Sequence, residues 1–364
     1  MSTLHKIALT FIKSIGPVHA KNLLAYCGSA EAVFSATKSQ LLQIPGIGSK
    51  TVEAVLNTTA LKRAEEEINF VEKHGIEVLF FSDKNYPNRL KNCYDAPILL
   101  YFKGKADLNQ PRIISVVGSR NATEYGRSLC KQICEILAPY NVLIVSGLAY
   151  GIDVAIHKEC ISQRITTVGV LGHGLDRLYP QVHKSVSQQM VLNGGLLSEF
   201  PILTNPDRQN FPQRNRIIAG ISDATLVVEA SIKGGALITA EIANSYNKDV
   251  FAFPGRTNDL LSEGCNFLIK TNRAGLINNA KDLIYYLNWD EEVKPIKKQP
   301  QISMPINLTA NEHKVIDVLQ YGQLSIDELC ITLSIQQSKL AIVMLTLEMQ
   351  GLIISLPGKV YKLA

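Results

Sequence analysis

An α/β chain with a mostly parallel, Rossmann-like sheet at its centre and a small helical module on either side is predicted by three features of the sequence. Between residues 76 and 288, short apolar runs alternate with helical stretches. That is the pattern of βαβ construction. The runs are apolar on both faces, as strands are when helices cover both sides of a parallel sheet. Before this region, and in three short stretches beyond residue 307, the periodicity is helical.

Residues 1–73 form the first module. Its helical pattern breaks at Ser14-Ile15-Gly16-Pro17 and again at Ile44-Pro45-Gly46-Ile47-Gly48-Ser49-Lys50, which implies two helical hairpins. The second break resembles a helix-hairpin-helix (SAM-like) turn, where glycines let amides at a helix start approach a DNA phosphate and a following cation, here Lys50, adds charge. The first carries Val18 where the second glycine would stand, so phosphate contact is expected of the second copy only. A plain packing hairpin explains the second turn equally well.

The core, residues 76–288, is expected to contain strands Ile113 to Val117, Val142 to Val145, Thr167 to Leu171, Gly195 to Ser198, Thr225 to Val228 and Val250 to Phe253, with Ile76 to Phe81 and Ile98 to Phe102 extending the sheet. Residues 289–307 are polar, carry three prolines and have no sustained period, so they read as a linker. Residues 308–364 show three short helical patterns and a hairpin turning at Pro357-Gly358. That order suggests a winged helix.

A chain of 364 residues that is 46% hydrophobic buries a large core, and disorder as the main state is excluded. The net charge of +5 and pI near 8.7 suit an anionic partner without identifying one. Seven scattered cysteines, with no CxxC and no zinc-spaced histidine, read as buried thiols in a reducing compartment. Cys130 and Cys134 share a helix face, where core packing outweighs a metal pair. No segment reaches membrane-spanning length and no cleavable leader is evident. The expected location is the cytoplasm, with no cofactor and no metal.

Ligands of an open parallel sheet bind beyond the carboxyl ends of its strands. Following each strand here stand Gly118-Ser119-Arg120, then Ser146-Gly147, Gly172 through Arg177, Glu199-Phe200-Pro201, Glu229 through Gly235, and Pro254-Gly255-Arg256. The fourth loop leads into Phe211-Pro212-Gln213-Arg214-Asn215-Arg216. Glycine lets backbone amides close on a phosphate. Arg120, Arg177, Arg214, Arg216, Lys233 and Arg256 bring cations to the same rim, and Phe211 and Tyr179 bring the aromatic faces on which unpaired bases stack. Several cations from independent loops point to an extended polyanion rather than a small ligand. Each arginine also has a structural reading as a salt bridge, and each aromatic one as a loop anchor.

Other functions lack their parts. There is no GxGxxG after the first strand and no GxxxxGK[ST] anywhere, which argues against a dinucleotide enzyme and a P-loop ATPase. A nucleotide-handling hydrolase remains the alternative, with Asp153, His157, Glu199 or Glu229 as acid or base. Asp153 and His157 stand four apart on one helix, where an Asp–His hydrogen bond orienting a loop is the simpler expectation.

The ordered motifs Val117-Gly118-Ser119-Arg120, Val145-Ser146-Gly147-Leu148-Ala149 with Gly151-Ile152-Asp153 and His157, and Leu171-Gly172 with Gly174-Leu175-Asp176 and Tyr179-Pro180 closely resemble the DNA-processing protein A (DprA/Smf) family. So do Leu197-Ser198-Glu199-Phe200-Pro201, Phe211 to Gly220, Val227-Val228-Glu229-Ala230 and Leu237-Ile238-Thr239-Ala240. The resemblance implies a non-catalytic protein that binds single-stranded DNA, self-associates as a homodimer and loads RecA in natural transformation and homologous recombination. It places the DNA pocket at Arg120, Arg177 and Phe211 to Arg216, and together with the loop glycines and cations the expected DNA site is Gly118, Ser119, Arg120, Gly147, Gly172, Arg177, Phe211, Arg214, Asn215, Arg216, Lys233 and Gly234. Two departures stand out: Gly234-Gly235-Ala236 replaces the family's Ser-Gly-Ser, removing a phosphate-facing hydroxyl, and Asn247-Lys248-Asp249 replaces Gly-Arg-Asp.

Overall fold

The computed structural model describes residues 2–13, 15–289, 308–320, 322–333, 335–356 and 360–363. It divides into two compact units, residues 1–290 and 291–364.

In the first unit a nine-stranded sheet forms from β1 (Glu77–Phe80), β2 (Leu99–Gly104), β3 (Ile113–Val117), β4 (Leu143–Ser146), β5 (Thr167–Leu171), β6 (Gly195–Ser198), β7 (Ala224–Val227), β8 (Asp249–Ala252) and β9 (Gly275–Leu276). Their spatial order is β1-β2-β6-β5-β4-β3-β7-β8-β9. Every neighbour pair from β6 to β9 is parallel, whereas β1–β2 and β2–β6 are antiparallel. The expected strands are present, with β1, β2 and β4 starting one residue later and β7 and β8 one residue earlier than the apolar runs suggest. The two-residue β9 was not anticipated, because a strand so short carries no periodic signal.

Both sheet faces are covered, which is why the central strands are apolar at every position. One face buries Ile113, Val145, Val168, Val170 and Val227 against the helices Asn210–Ile221 and Gly235–Ser245. The other buries Ile114, Val116, Ile144 and Leu226 against Glu124–Leu137 and Ile152–Ser162. Burying each such side chain stabilises the fold by roughly 1.5–3 kcal/mol. The helix Glu124–Leu137 presents Leu129, Cys130, Ile133, Cys134 and Leu137 at helical spacing, so both cysteines are core residues, and Cys134 lies 3.7 Å from Cys160, sulfur to sulfur.

The N-terminal hairpins consist of Thr3–Thr10, Pro17–Cys27, Ala30–Ser35, Lys38–Leu42, Ser49–Leu56 and Ala60–Lys73. They share one apolar cluster with the sheet: Ile7, Leu9, Leu23, Val52 and Ala64 pack with Phe80, Leu99 and Tyr101. Gly46, at φ +78°, makes the turn into Ser49–Leu56, a conformation that favours glycine.

Trp289, read from the sequence as the first linker residue, belongs to the core. It is 9% exposed, and its carbonyl accepts a hydrogen bond from Arg112. The remaining linker residues, 290–307, lie outside the described residues.

The second unit has helices Ala310–Leu319, Ile326–Leu333 and Gln337–Met349 and a sheet in the order β10 (Leu324–Ser325), β12 (Val360–Leu363), β11 (Ile353–Leu356). Val315, Leu329, Leu340, Met344 and Leu347 form its core. Thr309 caps its first helix in a reciprocal pair with Glu312. The hairpin of β11 and β12 is antiparallel as expected, while the turn at Pro357-Gly358 falls outside the described residues.

Candidate nucleic-acid interface

Strand order runs one way from β3 through β4, β5 and β6 and the other way through β7 and β8, so the chain reverses between β3 and β7. A doubly wound sheet opens a crevice at such a point. Here the two loops are tied together: the Ser119 amide donates to the Glu229 carbonyl at 2.7 Å, and the Thr123 amide donates to the Glu229 carboxylate at 3.0 Å. The Thr123 hydroxyl also donates to that carboxylate, while the same oxygen accepts from the Gly126 amide and caps the helix Glu124–Leu137.

Above these loops lies a cavity of about 500 Å³. Gly118, Ser119, Arg120, Phe211, Arg214, Asn215, Lys233 and Gly234 line it, joined by Asp153 and Arg208. A smaller depression beside it is lined by Gly147, Gly172 and Tyr179 and shares Arg120, Phe211 and Arg214. The Arg120 guanidinium stands 5.4 Å from the centre of the Phe211 ring, and Phe211 stands 6.2 Å from Tyr179. An exposed cation and two aromatic rings therefore share one edge.

Beneath them Arg214 is 4% exposed; its Nη1 donates to the Val170 carbonyl at 3.0 Å. A β-carbon at Gly147 would lie 1.6 Å from that Nη1 and 2.5 Å from an Asp153 carboxylate oxygen. Only glycine leaves room for these two side chains. Gly151 is constrained in the same way, at φ +78° with the Ser119 carbonyl 2.0 Å from where a β-carbon would stand. Burial raises the Asp153 carboxyl above its ordinary range, against the pull of Arg214. Burial also weakens the hold of Arg214 on its proton, with Asp153 opposing and Arg120 reinforcing that effect.

The expected Asp153–His157 hydrogen bond does not form. His157 pairs through Nδ1 with the Thr167 hydroxyl at 2.7 Å, while Asp153 accepts from the Ala149 amide at 3.4 Å. Both face inward from one helix, but strand β5 reaches the imidazole first. Burial then lowers the His157 pKa to about 3, and Arg214 and His183 push in the same direction.

Two expected rim cations are otherwise engaged. Arg216 does not line the central cavity: it is ion-paired to Glu199 and donates to the Asp95 carbonyl, with 13% of its side chain exposed. Arg177 lines a separate depression with Tyr150 and Tyr179, where it bonds Asp176 and Asn205. Arg256 is exposed on its loop. Arg208, which sequence reasoning missed, is exposed and lines the cavity. The available signal was a cation three residues ahead of Phe211.

The acids named for the hydrolase alternative are largely committed to structure. Glu229 is 1% exposed and held by Thr123, and Glu199 is bound to Arg216. Asp153 alone among the four hydrolase candidates lines the cavity. No group of three or more His, Cys, Asp or Glu side chains among the described residues is placed to hold a metal, and no single described helix is long and apolar enough to cross a membrane.

The sheet and its switch-point crevice define a protein of the doubly wound α/β class, carrying helix-hairpin-helix and winged-helix modules. Residues 77–288 match the family model for DNA recombination-mediator protein A, residues 6–59 the SAM-like helix-hairpin-helix tandem and residues 299–359 the DprA winged helix domain. The chain belongs to the DNA recombination-mediator protein A (DprA/Smf) family. It is 30% identical to Protein Smf of Synechocystis sp., over 98% of this chain and 97% of that one, and 39% identical to the DNA processing protein DprA of Streptococcus pneumoniae, over 56% and 71%. The X-ray structure of the S. pneumoniae protein superposes with a TM-score of 0.67 at 30% identity, covering 78% of this chain and 98% of that one. A structure of DNA processing protein A from Helicobacter pylori, described for its single-stranded DNA binding mode, superposes with a TM-score of 0.54 at 29% identity, covering 59% and 96%.

Proposed function

We propose that this protein binds single-stranded DNA at the switch-point cavity, without catalysis, and delivers the strand to the RecA recombinase during natural transformation and homologous recombination. One observation carries the binding reading: an exposed guanidinium stacked over Phe211, with Tyr179 beside it, at the mouth of a cavity lined by Arg208, Arg214 and Lys233. Aromatic faces accept any base, and the cations neutralise phosphates, so affinity is salt-sensitive and weakly sequence-selective. The single-stranded DNA binding described for the H. pylori relative supports it.

A protein with a DNA rim and no nucleotide motor acts on a strand by holding, protecting or passing it. Family membership supports RecA as recipient and the cytoplasm as the place. Self-association as at least a dimer would let two rims hold one strand and raise affinity through effective concentration. The test is RecA filament assembly on strands covered by single-strand-binding protein. Wild type should accelerate assembly, and Arg120→Ala, still folded, should lose the acceleration. No acceleration under conditions where the protein binds both DNA and RecA would refute the delivery role and leave the binding role standing.

The positions of Glu229 and Glu199 favour binding over hydrolysis. Incubation with ATP and nucleoside monophosphates should release no base, sugar or phosphate; product formation that disappears in Asp153→Asn would favour an enzyme.

A further inference from the structure

The cavity at the switch point holds more positive charge and more free donors than an internal phosphodiester uses. Arg120, Arg208, Arg214 and Lys233 line it against one carboxylate, Asp153, whose ionisation burial opposes. Arg214, 4% exposed, has no protein partner for its Nε. At the same wall the eleven-residue helix Gly235–Ser245 begins after Gly234, which has no side chain to cap it. The Leu237 amide returns to the Gly234 carbonyl, but the amides of Gly235 and Ala236 find no acceptor among the described residues. First-turn amides have no partner within their own helix, and the helix dipole gives them a partial positive charge. Gly234, Gly235 and Ala236 all line the cavity.

We propose that this cavity takes a phosphomonoester, with the phosphate seated on the Gly235 and Ala236 amides and its ribose and base directed toward Arg120 and Phe211. The proposal rests on the strand-binding reading above and narrows it. A phosphodiester carries one charge and two free oxygens, whereas a phosphomonoester carries about −1.5 to −2 at neutral pH and three strong acceptor oxygens. The second set matches the donors present. A volume of about 500 Å³ suits one nucleotide rather than a run of them. The phosphate could come from the phosphorylated end of a strand or from a free mononucleotide.

The experiment is competition against a labelled oligothymidine bound to the full-length protein, followed by fluorescence anisotropy. The competitors are unlabelled oligothymidines bearing a 5′-phosphate, a 3′-phosphate or neither, together with thymidine monophosphate and thymidine. One phosphorylated end should compete at least ten-fold better than the unphosphorylated strand, and thymidine monophosphate should compete where thymidine does not. Which end wins identifies the strand polarity; competition by the mononucleotide alone would assign the site to free nucleotides. Gly235 is the first helical residue and Gly234 lies at φ −74°, ψ 148°, so proline fits position 235 and removes its N–H. A β-carbon at Gly235 has nothing within 4 Å, so Gly235→Ala retains the amide without crowding. Gly235→Pro should bring the ratio of phosphorylated to unphosphorylated affinity toward one, and Gly235→Ala should preserve it. Equal wild-type affinity for all strands, or a preference that survives Gly235→Pro, would overturn the proposal while leaving strand binding intact. Absence of any oligothymidine binding would overturn both.

Discussion

Arg120 and Phe211 come from opposite parts of the core sequence and meet as a cation over a ring, 5.4 Å from guanidinium to centroid. The loop after β3 supplies the first and the helix Asn210–Ile221 the second. A base entering this edge would take the place of the guanidinium over the ring.

Phe211→Ala should therefore weaken oligothymidine binding by about 1–3 kcal/mol, the range for one stacked base. Arg120→Ala should also weaken it substantially. Anisotropy titrations of both variants check this, and unchanged affinity in both would exclude the edge as the site.

Exposed and buried arginines should separate in a salt titration. Removing a phosphate contact on a single strand reduces the slope of log affinity against log salt by about 0.7. Arg208→Ala and Lys233→Ala should each show that reduction. Arg216→Ala should instead lower the unfolding midpoint with little change in slope, because it leaves Glu199 buried without its partner.

Gly147→Ala should damage the site from below. Its methyl would overlap Arg214 Nη1 at 1.6 Å, and overpacking of this kind costs about 1–3 kcal/mol of stability. Displaced Arg214 should also reduce DNA affinity. Urea unfolding and anisotropy on the same preparation measure the two effects.

His157 predicts an acid dependence of stability. The native state holds it neutral with a pKa of about 3, whereas the unfolded chain takes up a proton below about 6.5. Stability from this group is fully present above pH 6.5 and is lost as pH falls toward 3, by up to about 1.4 kcal/mol per pH unit inside the window. Urea midpoints between pH 7 and 5 should fall less steeply in His157→Gln than in wild type.

Deleting residues 308–364 should leave most of the DNA affinity intact. Four lysines face five acidic residues over that span, so it has no basic excess for a duplex. Its helix Gln337–Met349 buries Leu340, Met344 and Leu347 on one side and exposes Ile342, Leu345 and Met349 on the other. A large loss of affinity on deletion would show instead that this module contacts the strand.

The α/β class, the strand positions and the glycine-bearing loops that make the rim were set by local features. An apolar run such as Ile113 to Val117 is legible because each strand is buried on both faces, and Gly147 is legible as one of the glycines that recur in the loops after the strands. Which cations stay available was not legible. Arg214 and Arg216 stand two residues apart in one motif, yet one reaches under the cavity toward Val170 and the other turns to Glu199 and Asp95. Arg208 belongs to none of the motifs, and only the fold sets it on the wall of the cavity that Phe211 also lines. His157 lay at hydrogen-bonding distance in sequence from Asp153, but Thr167 of a neighbouring strand claimed it. Periodicity and glycine placement act through neighbours along the chain, so the sequence alone determined them. Ion pairing, hydrogen-bond choice and cavity walls depend on groups brought together from distant positions, and only the tertiary structure decided those.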